Sequence, residues 1–135
     1  MQLSNFLRTI LKIDSASCLG MAAVVLPTAN ALQDPLGLDA GIAFVAAAAL
    51  VPIGLFMLWL GTRLEAARGL VWVVILGNVG WTAASFAAAA SLPTITALGQ
   101  AVVIGQGLAV LALAFAEWIG LRASIRPAAA ASSVS

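Results

Sequence analysis

Two carboxylates, Asp14 and Glu117, fall inside long apolar stretches of the chain, and two amides, Asn78 and Gln106, sit at comparable depth. These four residues are the candidates for chemistry, and the chemistry open to them is proton binding. An ionised carboxylate in hydrocarbon must find a partner or take up a proton. If both acids lie shallow, the long side chains of Arg8, Lys12 or Arg122 can snorkel to neutralise them. If instead Asp14 and Glu117 face each other across the first and last helices, the pair shares a proton.

Asn78, Thr82 and Ser85 recur at i, i+4 and i+7, so they share one helix face. Gln106, Val110, Leu113 and Glu117 likewise form one stripe. Facing stripes of this kind act as interhelical glue, worth about 1 kcal/mol per hydrogen bond. The alternative is a narrow polar track, with Gln100 and Gln106 towards one end and Asn78 and Glu117 towards the other. Trp81, one turn from Asn78, is expected to fill the core rather than line such a track.

The missing residue types are equally informative. There is no histidine and a single cysteine, Cys18, so a catalytic base and the usual zinc, haem and iron–sulfur ligand sets are not supplied. Cys18 reads as a small apolar filler. Glycine spacings match neither a phosphate-binding loop nor a dinucleotide fingerprint. The expectation is therefore no enzyme, no metal and no cofactor. Of 135 residues 63% are hydrophobic and 8% charged, with a net charge of +1. Soluble domains carry roughly a quarter of their residues as charges, so the water-facing coat is missing. The same arithmetic excludes a nucleic-acid-binding face and a disordered chain.

The elements that must position these residues are membrane helices. Crossing ~30 Å of hydrocarbon takes about 20 apolar residues, and four segments qualify: 13–32, 40–61, 70–90 and 97–121. They are rich in Ala and Leu and show no strand-like alternation. The connections 33–39, 62–69 and 91–96 are short, which implies an all-α, up-down-up-down four-helix bundle. Asp39 and either Thr94 or Thr96 are placed to cap the helices that follow them. Residues 1–12 read as an interfacial turn or two, residues 1–126 as one domain, and 127–135 as a flexible Ala/Ser-rich tail. Pro27 and Pro52 should bend their helices. Small-residue ridges at Gly80, Ala84 and Ala88, at Ala112, Ala116 and Gly120, and along 46–49 are expected to be packing surfaces.

Charge sets the orientation. Arg8, Lys12, Arg63, Arg68, Arg122 and Arg126 all fall on one side of this arrangement, and Asp34 and Asp39 on the other. The positive-inside rule then puts both termini in the cytoplasm, with Trp59, Trp72 and Trp118 near the same interface. Arg8 and Lys12, the apolar run 18–26 and Ala29-Asn30-Ala31 also suit a secretory signal. Asp14, Ser15 and Ser17 interrupt that pattern.

Asp14-Ser15-Ala16-Ser17, the Asn78, Trp81 and Ser85 spacing, Leu98-Gly99-Gln100 and the Glu117–Arg122 segment together resemble a family of uncharacterised small four-span bacterial integral membrane proteins. The resemblance covers roughly residues 5–122 and implies a fold without an activity. The functional expectation is a non-catalytic accessory subunit of the bacterial cytoplasmic membrane that binds other helices, in a homo-oligomer or a partner membrane protein. The alternative is a small proton-linked transporter or permeation unit built on Asp14, Glu117, Asn78 and Gln106.

Overall fold

The structure is a computed structural model that describes residues 1–134, with side-chain surroundings as far as residue 125. The chain is all-α, with helices α1 (Asn5–Leu36), α2 (Ala40–Thr62), α3 (Arg68–Ser91) and α4 (Ala97–Val134). All four are long and apolar enough to cross a membrane, which makes this a multi-pass membrane protein. The expected tail at 127–135 lies outside the residues whose surroundings are described.

Helix ends differ from the hydropathy boundaries where capping chemistry overrides composition. α1 begins at Asn5 because the Ser4 hydroxyl accepts the Leu7 N–H at 3.1 Å. The expected interfacial turns at 1–12 are therefore mostly the first turns of α1 itself. At its other end α1 runs through Pro27 and Pro35 to Leu36, and Gly37 stops it in the left-handed region at φ 67°, returning its N–H to the Gln33 carbonyl. The connection expected at 33–39 thus contracts to three residues. Asp39 caps α2 through the Ile42 N–H. Thr96 caps α4 through the Gly99 N–H, while the Thr94 hydroxyl donates to the Gly37 carbonyl instead.

α1 is the central helix, packing against both α2 and α4, and α4 also packs against α3. Arg8 meets Gly61 and Ser15 meets Gly54, so α1 and α2 run in opposite directions. α3 and α4 do likewise, pairing Thr82 with Gly107 and Gln100 with Ala89. At one end residues 1–3 pair their backbone with 64–66, and the Ser4 N–H donates to Ser124. Arg8, Lys12, Arg63, Arg68 and Arg122 belong to this end. At the other, the Thr96 N–H donates to the Leu36 carbonyl, near Asp34 and Asp39. A side chain at Gly37 or Gly99 would overlap the Thr94 or Leu36 carbonyl oxygen there.

Of the glycines in the expected ridges, Gly120 packs and Gly80 does not, while Gly54 and Gly61 pack outside those ridges. Gly54 lies against Cys18 and Leu19 and Gly120 against Leu7, where a methyl group would force a shift, and Gly61 fits tightly against Arg8, Leu11 and Lys12. Gly80 and Ala84 are exposed and Ala88 is half-buried; in α4 Ala112 is exposed, and of 46–49 only Ala47 is buried. Small residues permit close approach on any face. Which face is used depends on where the polar groups and large apolar side chains pull the helix, and here Leu7, Leu11, Met57, Leu60, Val71 and Leu121 form the sealed core.

Candidate functional site

Asp14 lies in the third turn of α1, because that helix starts well before the apolar run does. Asn78 lies mid-way along α3, and Glu117 on the buried face of α4. The three converge. The Asn78 amide nitrogen donates to Asp14 Oδ2 at 2.6 Å and to the Glu117 carboxylate at 3.1 Å (Oε2) and 3.4 Å (Oε1). An amide NH2 has two protons, and each carboxylate takes one. Asp14 is 1% exposed, Glu117 0% and Asn78 7%. Two acids are thus held by one nitrogen, less than two hydrogen-bond lengths apart, in the protein interior.

Among the described residues no snorkelling cation forms an ion pair with either acid. The Arg8 Nε donates to the Gly61 carbonyl at 3.3 Å. The Arg122 guanidinium lies over the Trp118 ring at 5.0 Å, as Arg63 lies over Trp59 at 5.1 Å, a cation–π arrangement that keeps these charges at the bundle end. Helical side chains lean towards the N-terminus, which carries Arg8 away from Asp14. The remaining contact of Asp14 is the Cys18 thiol, one turn along, whose sulfur lies 3.9 Å from Oδ1. Cys18, expected as filler, therefore touches the acid pair. Next to Asp14, the Ser15 hydroxyl donates to the Gly54 carbonyl at 2.8 Å and pins α1 to α2.

Gln106 is not part of this cluster. Its Oε1 accepts the Trp81 indole N–H at 2.9 Å, and its Nε2 donates to the Ser85 hydroxyl at 2.7 Å and the Val103 carbonyl at 2.8 Å. Gln100 donates to the Ala89 carbonyl. These amides join α3 to α4 as interhelical hydrogen bonds, the first of the two arrangements expected for them, and Thr82 also donates across the seam to the Gly107 carbonyl. Trp81 was expected only to fill space, yet its N–H is committed to Gln106. The signal was the i, i+4 pair Trp81 and Ser85 opposite a lone glutamine.

Between α2 and α3 lies a cavity of about 350 Å³, with a mainly apolar lining that includes Phe56, Met57, Gly77 and Trp81. Cys18 and Asn78 also line it, so the cavity reaches the groups that contact the acids. Among the described residues no three His, Cys, Asp or Glu side chains are gathered as a metal ion would require. No known family, curated protein or solved structure matches the chain.

Proposed function

We propose that this chain is a small proton-linked translocation unit in which Asp14 and Glu117, bridged by Asn78, bind and release the proton. The carrying observation is that both carboxylates hydrogen-bond a single amide nitrogen in the sealed interior. Two negative charges at that separation repel strongly in a low dielectric, and a shared proton removes most of the repulsion. Proton gain or loss there changes the charge of the interior by a full unit, which is the elementary event of a proton relay in a membrane. The accessory-subunit reading has one observation in its favour, the open edge of α3 at Gly80 and Ala84.

The proposed setting is a bacterial cytoplasmic membrane with both termini inside. Its support is the gathering of Arg8, Lys12, Arg63, Arg68 and Arg122 at one end of the bundle.

The test is reconstitution in liposomes carrying a trapped pH-sensitive dye and an imposed proton gradient. Wild-type protein is expected to speed the dye response, and Asp14→Asn and Glu117→Gln each to slow it by about tenfold or more, the scale of losing a general acid–base group. Wild type that leaves the gradient untouched, or variants indistinguishable from it, would overturn the proposal. A defined oligomer without proton movement would favour the accessory reading.

A further inference from the structure

The Asn78 amide nitrogen is fully engaged by the two acids, but its oxygen is not. Among the described residues no group donates to Asn78 Oδ1, although the residue is more than nine-tenths buried. Among the described residues every sealed side-chain nitrogen and oxygen has a partner, so this oxygen is not sealed; it opens on the cavity that Asn78 lines. The carboxylates fix the amide's orientation, since only its nitrogen can donate to them. Donation to two anions also polarises the amide and strengthens the oxygen as an acceptor.

The cavity therefore has at its floor an acceptor backed by an acid pair, beside the Cys18 thiol, and an apolar wall that includes Trp81 and Phe56. Exposed Ile53 of α2 and Val73 of α3 lie along its lining, on faces turned to the bilayer. We infer that the α2–α3 cavity binds a primary ammonium on an apolar tail, entering from the bilayer and donating an N–H to Asn78 Oδ1. An ammonium satisfies the acceptor, is attracted by the acid pair behind it, and gains cation–π contact with the indole. A volume of about 350 Å³ is at the small end of ligand cavities, which suits one short alkyl chain.

This rests on the proton reading and gives it a substrate class: arrival of one cation releases the proton held by Asp14 and Glu117, and the interior keeps its net charge. Cys18 is the other titratable group at the pair, on α1. α2 contributes the Gly54 carbonyl through Ser15, and Arg8 and Arg122 are held by Gly61 and Trp118.

The test is calorimetric titration of the protein in phosphatidylcholine nanodiscs with decylammonium, with empty nanodiscs as baseline, in buffers of different ionisation enthalpy. Saturable binding with release of about one proton per cation is expected. Decyltrimethylammonium, which has the charge but no N–H, and decanol, which has a donor but no charge, should each bind about tenfold more weakly or worse. At Gly77, which lines the cavity, an added side chain meets open space, so Gly77→Phe should block binding. Gly80→Phe, equally open but outside the lining, should not. Equal binding of either analogue, or Gly77→Phe behaving as wild type, would overturn the inference. Protein that moves protons yet binds no decylammonium overturns this inference alone. Failure of the dye test overturns the proton reading beneath it, and this inference with it.

Discussion

Removing the bridge between the acids is the sharpest perturbation the structure offers. Asn78→Ala leaves Asp14 Oδ2 without its 2.6 Å donor and Glu117 without its 3.1 Å donor. Hydrogen bonds to charged groups are worth about 1.5–3 kcal/mol in soluble proteins, but interhelical bonds in membranes average about 0.6 and reach about 1.7. Two such bonds to buried acids therefore put the expected loss at about 2 kcal/mol, a factor of roughly 30 in the folding equilibrium. The diagnostic feature is the coupling. In an Asp14→Asn, Glu117→Gln background the neutral amides can hydrogen-bond each other, and Asn78→Ala should then cost less than about 1 kcal/mol. The assay is reversible unfolding in mixed micelles titrated with dodecyl sulfate, followed by tryptophan fluorescence. A loss below about 0.5 kcal/mol, or the same loss in both backgrounds, would show that Asn78 does not hold the acids together.

Two stability predictions follow from the same contacts. Gly99→Ala should destabilise by about 2 kcal/mol or more in the same titration, because the new methyl overlaps the Leu36 carbonyl oxygen; Gly80→Ala, in open space, should be neutral or stabilise by up to about 1 kcal/mol. Trp81→Phe keeps an aromatic ring but is smaller and leaves Gln106 Oε1 without its donor; the hydrogen-bond share of its cost, about 1 kcal/mol, should disappear when Gln106 is already replaced by Leu, leaving only the packing loss.

The apolar runs were legible because hydropathy is additive along the chain: four long stretches with few charges leave no soluble alternative, whatever their neighbours are. Capping was half legible. Asp39 and Thr96 act as their side chains predict, but the start of α1 at Ser4 was hidden by the charged turn after it. That misplacement made Asp14 look shallow and the snorkelling of Arg8 plausible, when Asp14 lies in the third turn.

Residue type alone nominated Asp14, Asn78 and Glu117, since a polar group in hydrocarbon needs a reason to be there. Their meeting was a matter of register. A 3.6-residue period gives each helix a polar face, but rotation and sliding of one helix on another are set by contacts between residues far apart in sequence. Here Leu7 seated on Gly120 and Ser15 bonded to Gly54 align α1 with its two neighbours, and Thr82 bonded to Gly107 aligns α3 with α4. The same alignment sent Gln106 to Trp81 instead of to the acids, turned Gly80 and Ala84 outward, and left the oxygen of Asn78 open to a cavity. Composition determined that this chain lives in a membrane and which side chains are costly there. Only the packed structure decided which of those side chains share a proton's distance, because side-chain proximity across helices depends on long-range contacts that a single sequence does not display.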